Sequence, residues 1–331
     1  MRRRDFIGLL GSGVALLPLP FARAEHGGTR RIGFLTASAE TDPQVHQFVD
    51  SFREGLQQNG WIEGRNLKIE FRWAAADLDR LNLLAKELVD LKPDLIVSHT
   101  SPATIALHRA TNVLPIVFVV VSDPIGNGLI SSLARPGGNI TGFVNLEASM
   151  ASKWIELAKE VAPRLKRIAM LFNPETAPYA YFEPAIKSAS RSQGVELVEV
   201  PLHSPADIEP ALGRLDLAAD GAIVVMPDTF NALKEVYGRI TAIAARDRIP
   251  AVYPYRYMAN AGGLMSYGTD NGDLFRRAAA YVDRILKGAK PAELPVQLPT
   301  KFEFVINAKA AQLQGFDIPL QLRAFADDVI E

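Results

Sequence analysis

Two doubly wound parallel α/β sheets, forming two lobes joined by a three-strand hinge, are the architecture that this 331-residue sequence predicts. Continuous β-branched runs such as 116–121 (IVFVVV) and 221–226 (GAIVVM) read as strands buried on both faces. Amphipathic runs of helix length lie between them, as parallel crossovers require. The alternation also starts again near residue 150 with no Gly/Ser-rich or Pro-rich linker, which points to a hinge and not a tether.

The elements follow in order. Residues 31–37 (RIGFLTA) form a first buried strand, 45–59 a helix stopped by Gly60, and 67–73 a second strand. Leu78, Leu81, Leu84, Ala85 and Leu88 recur at helical spacing and give one apolar face to a sheet. Strands at 94–98, 116–121 and 140–144 complete the first half. The second half opens with a helix at 150–161 and carries strands at 167–172, 195–200, 221–226 and 251–253. Helical stretches near 181–193, 205–217 and 233–246 separate them. A strand at 264–267, an amphipathic helix at 274–286 and a tail remain. Returning 258–288 to the first lobe (30–142) and 289–331 to the second (143–257) makes the chain cross between lobes three times, near 141–146 and twice more.

The N-terminus reads as a signal peptide over residues 1–24. Arg2, Arg3 and Arg4 precede an apolar run interrupted by Gly8, Gly11, Gly13 and Pro18, and Ala22-Arg23-Ala24 has the small-x-small form of a cleavage site. Arg3-Arg4-Asp5-Phe6-Ile7 has the form of a twin-arginine export signal, with an ordinary secretory signal as the alternative. The apolar run is too short for a spanning helix, and no later stretch is long enough either. The expectation is a cleaved, soluble, periplasmic protein that acts as a monomer. With no cysteine, the chain has no disulfide, no thiolate chemistry and no lipid anchor on a mature N-terminal cysteine. A formal net charge of −1 carries no electrostatic footprint for nucleic acid.

Ligands of open parallel sheets bind beyond the carboxyl ends of the strands, so the residues there are the candidates. In the first half they are Thr36, Ser38, Thr100, Ser101, Ser122 and Asp123; in the second they are Asn173, Tyr179, Asp228, Tyr253, Tyr255 and Tyr267. Hydroxyls, amides and carboxylates orient a small polar solute, and tyrosines stack on it. Each also has a structural reading. Ser101-Pro102 and Asp123-Pro124 are helix or turn starts, where serine and aspartate cap and proline occupies the next position. The same free N–H groups attract an anion such as a ligand carboxylate. Asp123 or Asp228 suits a ligand ammonium; Asn173-Pro174 and Asp228 equally suit turns. The tyrosines suit packing as well as stacking.

Catalytic patterns are mostly missing, and nothing points to a carboxylate pair. His46, His99, His108 and His203 have no metal spacing, and no H-E-x-x-H or G-x-x-x-x-G-K is present; the mature chain has no G-x-S-x-G. Gly126-Asn127-Gly128 lacks the third glycine of a dinucleotide site. No cofactor and no metal are expected. Of the histidines, only His99 adjoins a strand end.

Several stretches carry a family resemblance: FREGLQQNGWIEG (52–64) with IEFRW (69–73), PIVF (115–118) with SDP (122–124), SLARPGGNITG (132–142), GGLMSYG (262–268), and LPVQ (294–297) with KFE (301–303). In this order they are similar to bacterial ABC-transporter substrate-binding proteins related to tryptophan- and tyrosine-type binding proteins. The resemblance implies a type I periplasmic-binding fold, no catalysis, and a solute, an aromatic or other amino acid among the expected ones, handed to a permease in the inner membrane by cleft closure. The alternatives are a module presenting solute to a membrane sensor and a periplasmic α/β enzyme.

Overall fold

The structure, a computed structural model, describes residues 28–331; the expected signal peptide at 1–24 lies outside the described residues. The first sheet is built from β1 (Arg30–Thr36), β2 (Leu67–Trp73), β3 (Leu95–His99), β4 (Ile116–Val121) and β5 (Ile140–Val144), in the spatial order β2-β1-β3-β4-β5 and parallel throughout. Helices α1 (Pro43–Gln58), α2 (Leu78–Asp90) and α3 (Ser101–Ala110) make the crossovers. Separate apolar clusters cover the two faces, which is why the central strands are continuous apolar runs. Asp42 starts α1 by accepting from the N–H groups of Gln44 and Val45, with Pro43 in the first helical turn.

The second lobe holds α4 (Met150–Val161), β6 (Arg167–Phe172), α5 (Tyr179–Gln193), β7 (Glu196–Pro201), α6 (Ile208–Gly213), β8 (Gly221–Val225), α7 (Lys234–Arg246), β9 (Ala251–Tyr253), α8 (Arg256–Asn260) and β10 (Met265–Thr269). The chain then returns to the first lobe as α9 (Asn271–Leu286) and comes back as β11 (Phe302–Asn307), α10 (Ala308–Gln314), α11 (Leu320–Phe325) and β12 (Asp328–Ile330). The second sheet has seven strands in the order β12-β11-β10-β9-β8-β6-β7. It is larger than the first and not purely parallel, because β11 enters from the far side and runs antiparallel to β10.

The periodicity assigns 258–288 to the first lobe; the structure moves that boundary. Strand β10 extends the second sheet beside β9, with Met265 opposite Val252 and Ser266 opposite Tyr253. Two glycines of the GGLMSYG stretch permit this seating: a Cβ on Gly263 would stand 2.7 Å from the Tyr253 ring, and one on Gly268 would stand 1.8 Å from the Pro254 carbonyl oxygen. Only α9 crosses back, laying Leu274, Phe275, Ala278, Ala279 and Val282 against α1 and the first sheet. The other boundary moves too. Residues after α9 stay with the first lobe as far as Gln297, whose N–H reaches the Gly142 carbonyl at 2.9 Å and whose carbonyl accepts from Val144 at 2.9 Å.

The connections between lobes are thus 145–149, Asp270 and 298–301, and they are tied together. The Thr269 hydroxyl donates to the Asn145 carbonyl. Asp270 N–H donates to the Lys301 carbonyl at 3.2 Å.

Candidate functional site: a cleft at two facing switch points

Strand order reverses between β1 and β3 in the first sheet and between β6 and β8 in the second. These are the places where an open α/β sheet leaves a crevice beyond its strand ends. At the first switch point Thr36 and His99 stand side by side in register, hydroxyl to Nδ1 at 2.9 Å. At the second, the Asn173 N–H donates to Asp228 Oδ2 at 3.1 Å. A cavity of about 60 Å³ lies between the lobes at these ends. That is room for a handful of water molecules at the strand ends.

The first lobe lines the cavity with Ser38, Asp42, Gln44, Phe48, His99, Thr100, Ser101, Ser122 and Asn271. Thr176, Asp228, Thr229, Tyr255 and Tyr257 line it from the second lobe, and Asn145 from the first connection. Among the described residues no Lys or Arg lines it.

The first-lobe wall is held in costly backbone. Thr100 and Val120, both β-branched, have φ of 87° and 61°, where residues with a Cβ are rare. Val120 sits in a bulge between β4 and β5, which turns the end of β4 toward the cleft. Thr100 opens α3, so the first N–H groups of that helix lie at the cavity edge. The Ser101 hydroxyl accepts from the Ser122 N–H at 3.1 Å, and the Ser122 hydroxyl donates to Asn145 Oδ1 at 2.9 Å. One chain of bonds therefore joins the α3 start, the β4 end and the connection between lobes.

Among the described residues, several that line the cavity carry a polar atom with no partner. Thr100 Oγ1 and Asn271 Oδ1 on the first lobe, and Thr176 Oγ1 and Thr229 Oγ1 on the second, are buried without a hydrogen bond. Each such group costs about 1–3 kcal/mol unless something satisfies it.

Asp228 is 7 % exposed, and burial pushes its carboxyl up to about 7. N–H bonds from Asn231 and Asn173 act in the opposite sense. Tyr255 stacks on Tyr257, with centroids 5.5 Å apart and planes at 14°, to make an aromatic wall. Burial, then the Asp228 charge, pushes the Tyr255 phenol up, so it stays protonated.

Of the sequence candidates, Ser38, Thr100, Ser101, Ser122, Asp228 and Tyr255 line the cavity. The structure places the others elsewhere. Thr36 is fully buried behind His99. Asp123 turns its carboxylate onto the Gly126 N–H at 2.8 Å, closing the turn that its αL backbone begins. Asn173 caps its own turn through the Glu175 N–H at 2.8 Å. Tyr179 stacks on Phe172 at 4.3 Å, Tyr253 is fully buried in the apolar cluster with Ile240, Ala244 and Met258, and Tyr267 stacks on Phe302 in the apolar layer of the second lobe. Asp42, Gln44, Phe48, Asn145, Tyr257 and Asn271 escape a reading of strand ends. Asp42-Pro43, a cap-then-proline start after the first strand, was legible, whereas Ser101 is not the expected cap: Thr100 holds that position in α3 and no side chain caps the helix; nothing in the spacing marks Asn145 or Asn271.

Comparison with known proteins agrees with this geometry. The chain is 26 % identical over 265 residues, 80 % of its length and 75 % of the relative's, to a tyrosine-binding protein of Clostridioides difficile (strain R20291). It superposes on the ABC domain in complex with L-Trp from Streptococcus pneumonia with a TM-score of 0.84, at 27 % identity, covering 92 % of this chain and 100 % of that one. A conserved domain protein from Vibrio cholerae gives 0.85 at 28 % identity, covering 91 % and 99 %. The fold is the type I periplasmic-binding fold. Residues 39–330 match the family described as ABC transporter substrate binding protein, and the chain belongs to that family.

Proposed function

We propose that this protein captures a small zwitterionic solute, an aromatic amino acid foremost, in the cleft between its lobes and delivers it to an ABC importer. The unpartnered polar atoms carry the reading. Among the described residues, both lobes carry buried, unpartnered hydroxyl or amide oxygens on residues that line the same small cavity, and a polar solute between the lobes is the partner this reading supplies to both sets. Only the closed state makes both sets of contacts, so solute favours closure.

The chemistry of the walls supports a zwitterion. The start of α3 and the Thr100 hydroxyl suit a carboxylate, and ionised Asp228 suits an ammonium. With no cationic side chain on the wall among the described residues, the carboxylate falls to neutral donors and helix N–H groups. The Tyr255–Tyr257 stack and Phe48 suit an aromatic side chain. The relatives named for tyrosine and bound to L-Trp favour the same class. Export to the periplasm belongs to this proposal, with cleavage after Ala24; N-terminal sequencing of exported protein tests it. No helix among the described residues is long and apolar enough to cross a membrane.

A thermal-shift screen against amino acids, followed by calorimetry with L-tyrosine and L-tryptophan, tests the reading. Solute at about 100 times its dissociation constant adds about 2.7 kcal/mol to stability. No shift with any amino acid removes this solute class, and chemical change of a bound solute removes the assignment as a carrier.

A further inference from the structure

We propose that His99 is a solute-recognising residue that offers its Nε2–H, as an uncharged donor, to an acceptor oxygen of the ligand, and that Thr36 is the residue that positions it. The inference rests on the reading of the cavity as the solute site and deepens it by naming what one wall demands of the ligand.

The argument starts at Thr36, which is fully buried at the end of β1. Its hydroxyl oxygen accepts from the Ser38 N–H at 3.0 Å and stands 2.9 Å from His99 Nδ1. A threonine hydroxyl has one proton to donate and two lone pairs. Among the described residues Nδ1 is the acceptor within its reach. If Nδ1 instead carried the proton, the threonine O–H would be buried with nothing to receive it, and the penalty for such a group is substantial. The hydroxyl therefore donates to Nδ1, and the ring proton sits on Nε2.

The ring cannot turn freely. It lies edge-on between Phe275, with centroids 5.2 Å apart and planes at 65°, and Phe48, at 6.3 Å and 75°. His99 lines the cavity, and no described residue hydrogen-bonds its Nε2. Burial pushes the imidazole down to about 3, so at neutral pH the group donates without carrying charge. A ligand carboxylate, carbonyl or hydroxyl oxygen satisfies such a donor. An ammonium does not, because the cavity edge of the ring offers no lone pair.

Two isosteres separate this role from a structural one. The amide oxygen of His99→Asn stands near the Nδ1 position, keeping an acceptor for Thr36 and losing the cavity donor. The amide of His99→Gln reaches the Nε2 position and can keep the donor. Affinities for L-tyrosine and L-tryptophan are measured on the full chain, with the thermal midpoint of each variant, and 15N-histidine NMR reads the tautomer in the wild type. The expected result is that His99→Gln binds within about threefold of wild type while folded His99→Asn loses about tenfold or more. The His99 signals, assigned by their loss in the variants, show Nδ1 unprotonated and Nε2 protonated. Thr36→Val, folded, raises the Nδ1-protonated population and weakens binding.

The opposite rank, with Asn retained and Gln impaired, overturns the proposal in favour of a structural anchor for Thr36. Protonated Nδ1 in the wild type overturns it as well. Wild-type binding with unchanged affinity in His99→Asn overturns this inference alone. A wild type that binds neither amino acid overturns the amino-acid reading and the ligand role of His99 together.

Discussion

Asp270 and Lys301 meet at 2.6 Å, carboxylate to ammonium, and they belong to different connections between the lobes. Asp270 also caps α9 by accepting from the Asp273 N–H at 3.0 Å. Burial pushes its carboxyl up, but Lys301 and the Asp273 N–H outweigh that and hold it below its ordinary value of 3.8. One side chain thus ties the second crossing to the third and starts the helix that returns to the first lobe.

The two roles separate by mutation. Asp270→Ala loses the cap and costs about 1 kcal/mol. Lys301→Ala removes only a pair whose lysine is 60 % exposed, and costs about 0–1 kcal/mol. Because the folded carboxyl is depressed, its contribution is present above the unfolded value of 3.8 and is lost as pH falls through the folded value. Acid titration of the denaturant midpoint in wild type and Asp270→Ala checks the sign: the gap between them closes at low pH.

Replacing an unpartnered hydroxyl by an isosteric methyl produces opposite effects with and without solute. Thr100→Val and Thr229→Val each remove a buried oxygen that nothing satisfies. Each is expected to leave the solute-free protein as stable or up to about 2 kcal/mol more stable. Each weakens solute binding. Differential scanning calorimetry and titration calorimetry on the same variants check both halves.

Asp228 sets a pH window. Its folded carboxyl, raised to about 7, holds a proton that the unfolded chain releases near 3.8. Folding stability therefore falls as pH rises through that interval and levels above it. A ligand ammonium favours the ionised form, so affinity for L-tyrosine or L-tryptophan rises over the same interval. Titration calorimetry between about pH 5 and pH 8 checks the slope, and Asp228→Asn flattens it while lowering affinity.

Gly55 fixes how closely α1 and α9 approach. A Cβ there would stand 2.6 Å from the Arg276 carbonyl oxygen and 2.8 Å from the Ala279 Cβ. Gly55→Ala gains helix propensity yet forces the helices apart, with an expected net loss of about 1–3 kcal/mol. Urea denaturation checks it, and an unchanged midpoint would show that α9 shifts freely on the first lobe.

The strands of both sheets were legible because parallel strands buried on both faces read as uninterrupted apolar runs, and Ile116–Val121 and Gly221–Val225 stand where those runs put them. Which sheet a strand joins is not written in such a run. Strand β10 fits either lobe by composition, and its place beside β9 follows from Gly263 and Gly268 meeting Tyr253 and Pro254. The antiparallel entry of β11 is likewise a consequence of the return from α9 on the other lobe.

The site divides in the same way. Strand-end position found Ser101, Ser122 and Asp228, since the carboxyl end of a parallel strand opens to the cleft whatever its partners. It did not separate Tyr255, which lines the cavity, from Tyr253, which the helices on that face of the sheet bury. Nor did it show that Asp123 spends its carboxylate on the Gly126 N–H.

The sequence by itself determined the alternation of strands and helices, the two-lobed class and the strand ends that line the cavity, because these follow from local periodicity and the topology of parallel sheets. Tertiary structure alone decided which strand ends face each other, which hydroxyls are left without partners, and where Asn145 and Asn271 stand. Those depend on how the connections near 145, 270 and 300 fold the lobes together. Contacts between residues more than a hundred positions apart, such as Thr269 with Asn145, leave no periodic trace in the chain.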